Sequence, residues 1–236
     1  MDANVEPTMT VSRSAVAPPS RGALDRDERL VKDGILRMGS LVESQIRDAI
    51  RAAVERDAAL AARVIEEDGR VNDLQREIAD TILMTIATQS PVARDLRFLM
   101  ALDHVAFELE RIGDHASGIA KVARRLFEEP ALREIADLAR IGNLAAEQVR
   151  GVVSALIDID DVLAREVAAR DDDIDHGYRA IFGAIIDRMR ADPDSVESGT
   201  RVILAAHWVE RIGDRVTNIA EDVVYLATGQ VEDLNP

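Results

Sequence analysis

The sequence predicts an all-α protein made of two repeated three-helix bundles, with six long helices in total. Three observations predict this fold. Only 3% of the 236 residues are aromatic although 47% are hydrophobic, so the core must consist of Leu, Ile, Val and Ala. The chain's 7 Pro and 13 Gly are too few to punctuate a many-stranded β-protein. From about Leu30 onward, apolar residues recur three and four positions apart, which is the helical period.

The chain begins with residues 1–25, which we expect to form a disordered leader. This segment is rich in Pro, Ser, Ala and Thr and shows no apolar periodicity, so it cannot bury enough surface to offset its ordering entropy. The first repeat then spans residues 26–129, the second spans 130–230, and residues 231–236 form a short tail.

Capping residues and helix breakers predict the remaining helix ends. Asp and Ser side chains cap helix N-termini, and Pro is tolerated at the first helical position. The expected starts are Asp57 for the second helix, Ser90-Pro91 for the third and Asp160 for the fifth. The expected ends are Pro130 between the halves, Asp192-Pro193 after the fifth helix and Gly229 after the sixth.

The two halves of the chain repeat each other in sequence. At an offset of 103, residues 37–57 share seven identities with residues 140–160, including Gly39 with Gly142. Further along, the offset becomes 100, and the pentapeptide ERIGD at 110–114 recurs at 210–214. Each half is therefore a three-helix unit, and each unit leaves apolar surface uncovered unless it packs on its twin.

Charge and composition exclude several classes of protein. The net charge of −15 repels phosphate backbones, so we expect no nucleic-acid partner. The chain has no Cys, which excludes disulfide scaffolds, thiolate metal sites and thiol catalysis. No apolar run approaches the roughly 18 residues that span a bilayer, and no secretory signal is recognisable, so we expect a cytoplasmic protein without membrane insertion.

The third and sixth helices each carry an apolar core stripe, and acidic residues project from the opposite face. The stripes consist of Leu102, Val105, Leu109, Ile112, Ala116 and Ile119, and of Val202, Ala205, Val209, Ile212, Val216 and Ile219. Glu110 and Asp114 lie one helical turn apart, as do Glu210 and Asp214. Because like charges at this spacing repel, a bound cation would stabilise the pair.

The preceding antiparallel helix is expected to add oxygen ligands in each half. Counting back from the turn, Asp68 is level with Asp114 and Asn72 with Glu110. The candidate metal ligands are therefore Asp68, Asn72, Glu110 and Asp114 in the first half, and Asp171, Asp175, Glu210, Asp214 and Asn218 in the second. Such oxygen-rich sites suit Mg²⁺, Mn²⁺, Ca²⁺ or iron, and Zn²⁺ stays possible where it is abundant.

Two other interpretations of the acidic residues stay open. They could form a solvated helix face that Arg111 and Arg211 neutralise, or they could serve a metal-dependent enzyme or a metal-storage protein. A di-iron oxidase needs Glu-x-x-His on two helices, and this element does not occur. Nucleophile elbows and phosphate-binding glycine loops are also missing, so we expect neither catalytic residues nor an organic cofactor. The four His residues are expected mostly at the surface.

The stretch Gln89 to Arg97, QSPVARDLR, together with the duplicated ERIGD motif, closely resembles the PhoU family of phosphate-signalling proteins. The resemblance spans about residues 28 to 228. It implies an all-helical fold of two similar three-helix bundles. It also implies an acidic E/D-x-x-x-D motif in each half that is associated with multinuclear metal sites.

The resemblance further implies a non-enzymatic regulatory role. Members of the family repress the phosphate-starvation response when phosphate is plentiful, and they restrain phosphate uptake. They are thought to act as adaptors between the ATPase subunit of the phosphate ABC transporter and a sensor histidine kinase, and many are homodimers. We expect the same role and the same partners for this chain.

The chain departs from the family pattern at three positions. Gly118 stands where the family often has the asparagine that Asn218 retains, and Arg215 stands where the first half has His115. Asn72 replaces a carboxylate, which removes one charge from the first site. We therefore expect the second half to bind metal more tightly.

Overall fold

The structure is a computed structural model that describes residues 21–129, 132–133 and 135–235. Within these residues it contains seven α-helices and no strand. They are α1 (Arg21–Glu55), α2 (Ala58–Gln89), α3 (Arg94–Leu126), α4 (Ile135–Asp158), α5 (Asp161–Ala168), α6 (Asp171–Ala191) and α7 (Val196–Thr228), with a 3₁₀ turn at Pro193–Ser195. The all-α prediction is confirmed.

Pro130, the expected boundary between the halves, lies outside the described ranges. Residues 1–20 of the expected leader also lie outside them. The structure differs from the expectation over residues 21–25, because α1 already begins at Arg21. A salt bridge between Arg21 and Asp25, one turn apart, accompanies this early start.

The predicted N-caps Asp57 and Asp160 are confirmed at equivalent positions of the two repeats. The Asp57 carboxylate accepts hydrogen bonds from the backbone N–H groups of Ala59 and Leu60, both at 2.9 Å. Asp160 accepts the same two bonds at the start of α5, at 3.1 and 3.0 Å. These bonds satisfy N–H groups that have no partner within the helix.

The prediction that Ser90 caps the third helix is wrong. Ser90 instead ends α2 in the left-handed conformation, with φ of 47°, and its N–H donates to the carbonyl of Ile86 at 3.2 Å. Pro91 disfavours the helical conformation for the residue before it, and α3 begins only at Arg94. The predicted ends at Asp192 and Gly229 are confirmed. Asp192 directly follows α6 and Gly229 directly follows α7, and the backbone N–H of each donates to a carbonyl in the last turn of its helix.

The fifth long helix is interrupted once. Ala169 and Arg170 separate α5 from α6, and the Arg170 N–H bonds to the carbonyl of Val167 at 3.2 Å, three residues back. Three consecutive Asp residues follow at positions 171–173, where the positive end of the helix dipole favours acids. The break therefore places Asp171 at the first residue of α6.

The two repeats pack on each other through α1 against α4 and α3 against α7. Two reciprocal glycine contacts show that the packing follows the sequence repeat. A Cβ on Gly39 would lie 2.8 Å from Val153, and a Cβ on Gly142 would lie 2.4 Å from Ile50. Because Gly39 and Ile50 correspond to Gly142 and Val153 at the offset of 103, the helices approach closely by the same contact made twice.

The predicted core stripes of α3 and α7 are confirmed. All twelve of their side chains are fully buried. Among the described helices, none combines the length and the apolarity that crossing a membrane requires.

Candidate functional site

The glycine of each ERIGD motif lets the neighbouring helix approach the acidic residues. A Cβ on Gly213 would lie only 2.0 Å from Asp171 Oδ1, so the absence of a side chain there admits the Asp171 carboxylate. At Gly113 the neighbour is Val71, which a Cβ would meet at 3.2 Å. The motif glycines thus bring α6 onto α7 and α2 onto α3.

The second acidic cluster is centred on Asp171, which is 5% exposed. Its Oδ2 accepts a hydrogen bond from Asn235 Nδ2 at 2.9 Å, whereas its buried Oδ1 has no hydrogen-bond partner. Burial, reinforced by the charges of Asp214, Asp175 and Glu210, raises the pKa of Asp171 to about 7. Burial also raises the pKa values of Glu210 and Asp214, and Asp175 adds to both shifts. The four acids therefore lie close enough for their charges to act on one another.

The first acidic cluster joins Asp68 of α2 to Glu110 and Asp114 of α3. Burial raises the pKa values of Asp68 and Glu110, and the charge of Asp114 raises both further. Asp68 is thus near Asp114, as the helix register predicts. Asn72 is half-buried and its Oδ1 has no hydrogen-bond partner, while Asp114 is exposed.

Four buried oxygens at these clusters have no hydrogen-bond partner, namely Asp68 Oδ1, Asn72 Oδ1, Asp171 Oδ1 and Glu210 Oε2. A buried oxygen without a partner is costly, and a hard cation would satisfy it. The donor set therefore fits Mg²⁺, Mn²⁺, Ca²⁺ or iron by its chemistry. Within the described part of the chain, however, no three His, Asp or Glu side chains converge on one point where an ion could sit. Ion binding would require these side chains to move closer together.

Besides Asp171, further predicted ligands have other partners, and Glu210 Oε2 lies 3.2 Å from His207 Nδ1 in an ion-pair contact. Asn218 Nδ2 donates to Glu108 Oε2 at 3.3 Å, and Asp175 accepts a hydrogen bond from Arg179. Only the carbonyl oxygen of Asn218 and the second carboxylate oxygen of Asp175 are left for a cation. Their part in a metal site stays a prediction.

A polar layer between α3 and α7 was missed by the sequence analysis. Glu108 is 3% exposed and accepts hydrogen bonds from Arg215, at 3.4 Å, and from Asn218. On the same side of the interface, His104 Nδ1 lies 2.6 Å from an Asp222 oxygen. The signal that could have revealed this layer is the set of differences between the repeats at these positions.

The equivalent layer on the other side of the interface is aromatic. At the offset of 100, Glu108 corresponds to Trp208, Arg215 to His115 and Asn218 to Gly118. Trp208 stacks on His115 with 5.1 Å between ring centroids, and it lies against Gly118. His115 is buried, an exception among the His residues, most of which lie at the surface as predicted, and burial together with Arg211 and Arg215 lowers its pKa to about 4.

The C-terminal tail lies against the second acidic cluster. Besides the bond from Asn235 to Asp171, the Leu234 N–H donates to Glu221 at 3.0 Å and Glu232 pairs with Arg165 at 2.9 Å. A cavity of about 500 Å³ lies beneath it, lined by Asp214, Arg215, Thr217, Asn218, Glu221 and tail residues. No motif or periodic pattern in the sequence predicts a role for this segment.

Comparison with known proteins identifies the family. The PhoU domain matches the chain twice, at residues 35–123 and 138–223. The "Phosphate-specific transport system accessory protein PhoU homolog" of Clostridium acetobutylicum is 35% identical over 217 residues, which cover 92% of this chain and 99% of the relative.

Two crystal structures share the fold. PhoU from Pseudomonas aeruginosa aligns with a TM-score of 0.85 and 33% identity, covering 88% of this chain and all of that one. The phosphate transport system regulatory protein PhoU from Streptococcus pneumoniae aligns with a TM-score of 0.83 and 30% identity, covering 89% and 99%. The duplicated domain, the ERIGD motifs on α3 and α7 and these two alignments agree, and the chain belongs to the PhoU family.

Proposed function

We propose that this chain is a regulatory accessory protein of phosphate transport, which represses the phosphate-starvation response and restrains phosphate uptake when phosphate is plentiful. The observation that carries the proposal is the match to the C. acetobutylicum accessory protein, which extends over 99% of that relative. In this proposal the chain acts in the cytoplasm without catalysing a reaction. It joins the ATPase subunit of the phosphate ABC transporter to a sensor histidine kinase, and it forms a homodimer.

An exposed apolar row on α3 supports a role in binding other proteins. Leu96, Met100 and Phe107 are 36%, 52% and 44% exposed and lie at helical spacing on one face. The Arg111 guanidinium lies 4.8 Å from the centroid of the Phe107 ring. Aromatic, Met and Arg side chains are enriched at protein interfaces, so we propose this row as a contact with one of the two partners.

The acidic clusters are proposed to bind cations between neighbouring helices. In the first repeat the ligands come from α2 and α3, and in the second from α6 and α7. They are Asp68, Asn72, Glu110 and Asp114 in the first repeat, and Asp171, Asp175, Glu210, Asp214 and Asn218 in the second. Bound cations would neutralise carboxylates whose pKa values burial and mutual repulsion raise. Their part would be to fasten these helices together and hold the surface that the partners recognise.

The test is a strain that lacks the protein, complemented with variants. We expect phosphate-starvation genes to be expressed in phosphate-rich medium without the protein, and repressed again by the wild type. Phe107→Asp should fail to repress, and it should lose the kinase or the ATPase subunit in a pull-down. Phe182→Asp is the matched control, because Phe182 on α6 is also 44% exposed. Normal repression in the strain lacking the protein would contradict the proposal.

A further inference from the structure

The C-terminal segment that follows α7 folds back over the second acidic cluster. Gly229 ends α7 in the left-handed conformation, with φ of 75°, and turns the chain. Three side chains then hold the segment: Arg165 pairs with Glu232, Glu221 accepts from the Leu234 N–H, and Asp171 accepts from Asn235. Leu234 also packs against the hydrophobic core.

The last of these contacts occupies the most buried acid of the cluster. The Asn235 amide places its N–H donor, the positive end of its dipole, 2.9 Å from Asp171 Oδ2. The other oxygen, Oδ1, has no hydrogen-bond partner and faces Gly213 of α7, a residue that stands between Glu210 and Asp214 in the sequence. A cation that binds Asp171 through both carboxylate oxygens must therefore compete with the Asn235 amide for Oδ2.

The conformation of the segment is suited to holding Asn235 in this position. The Asn235 backbone N–H donates to the Asp233 carboxylate at 3.1 Å, which forms a local turn. In the first repeat, Asp68 corresponds to Asp171, and no hydrogen bond to its side chain comes from any described residue. The two clusters thus differ in this covering segment.

We propose that residues 230–235 act as a strap that controls the access of cations to the second acidic cluster, with the Asn235 amide and the cation competing for Asp171. This inference rests on the proposed cation binding at that cluster. Cation binding releases Asn235 and loosens the segment, so the occupied and unoccupied clusters differ at the surface of the protein. The first cluster, which no described segment covers in this way, binds and releases cations independently of the C-terminus.

The test is a titration of the protein with Mn²⁺ alone, in which calorimetry measures the heat of binding. The titration uses a background in which Asp68 and Asp114 are replaced by Ala, so that the first cluster does not contribute. We expect Asn235→Ala to bind Mn²⁺ about tenfold more tightly, because it removes one hydrogen bond to a charged group. Gln230→Ala is the control, since the three tethers do not involve the Gln230 side chain, and its affinity should equal that of the parent.

A second measurement follows the strap itself. Hydrogen exchange of the peptide covering residues 231–235 should accelerate when Mn²⁺ is added to the otherwise unaltered protein, because the Leu234 N–H loses its protection. Unchanged or weaker Mn²⁺ binding by Asn235→Ala would overturn the strap while leaving the cation site in place. Absence of Mn²⁺ binding by the parent and both variants would instead overturn the proposed cation site itself.

Discussion

Trp208 of α7 lies directly against Gly118 of α3, where a Cβ would come within 3.0 Å of the indole Nε1. The equivalent pair on the other side of the interface is Glu108 with Asn218, joined by a hydrogen bond of 3.3 Å. A large side chain thus faces a glycine in one contact, and an acid faces an amide in the other. The repeats have diverged by paired changes that keep the spacing of α3 and α7.

This pairing predicts that Gly118→Asn, which copies the residue of the second repeat, destabilises the protein. The new side chain would force Trp208 off His115 in a packed interface, and such overpacking typically costs 1–3 kcal/mol, so we expect about 2 kcal/mol. Urea unfolding monitored by Trp fluorescence measures the loss, since Trp208 is the single Trp of the chain.

The matched control for this change is Gly183→Ala. A Cβ at position 183 on α6 meets nothing within 4 Å, and Ala is the better helix former. We expect the control to raise the free energy of unfolding by about 0.5–1 kcal/mol. Equal effects of the two substitutions would contradict the close contact between Gly118 and Trp208.

The buried carboxylate of Glu108 predicts a second stability effect. Glu108→Ala would leave Arg215 and Asn218 without their shared acceptor, and breaking a partly buried charged network should cost about 2 kcal/mol. Glu197→Ala is the control, because Glu197 is 76% exposed and its pair with Arg201 should contribute less than about 1 kcal/mol. Thermal unfolding of both variants gives the comparison, and a loss no larger at Glu108 would count against the network.

The repeat in the sequence accounts for most of what could be predicted. Helical periodicity correctly indicates the all-α fold, and the local capping propensity of Asp correctly indicates the caps at Asp57 and Asp160, which the repeat places at equivalent positions. Helix geometry also predicts that Asp68 approaches Asp114, since the rise per residue sets the level of side chains on antiparallel helices. The register of Asp175 beside Glu210 and Asp214 follows from the same arithmetic.

What could not be predicted depends on which faces meet. Whether Ser90 ends one helix or begins the next depends on the path of the chain between α2 and α3, and both uses suit a serine. The burial of His115 depends on the orientation of α7 against α3. The contact of Asn235 with Asp171 joins residues 64 positions apart through a short irregular segment, which carries no periodic pattern.

The raised pKa of Asp171 predicts how stability changes with pH. In the folded protein its pKa is about 7, against the ordinary value of 3.8 for an Asp carboxyl, so between these values the folded state binds a proton that the unfolded state does not. This carboxyl therefore makes the fold less stable above pH 7, and its penalty disappears as the pH falls toward 4. His115 has the opposite effect: its folded pKa of about 4, against 6.5, lowers stability as the pH falls from 6.5 to 4.

Asp171→Asn separates the two contributions. In EDTA at pH 8 we expect this variant to be more stable than the parent by about 2 kcal/mol, because it removes a buried charge. The difference should vanish near pH 4, where the parent carboxyl is protonated in the folded state. Asp172→Asn, at an exposed neighbouring acid, is the control and should change stability little. A difference between Asp171→Asn and the parent that does not depend on pH would contradict the raised pKa.

The asymmetry of the two clusters predicts unequal metal loss on substitution. Asp214 is half-buried, and it adds to the rise in the pKa values of Asp171 and Glu210, whereas Asp114 is exposed and its cluster includes the neutral Asn72. Fewer charged ligands and greater exposure both weaken cation binding. Asp214→Ala should therefore reduce the Mn²⁺ retained after dialysis more than Asp114→Ala does, as measured by elemental analysis. Equal losses would mean that the two clusters bind alike, and that the carboxylate missing at Asn72 has no effect on affinity.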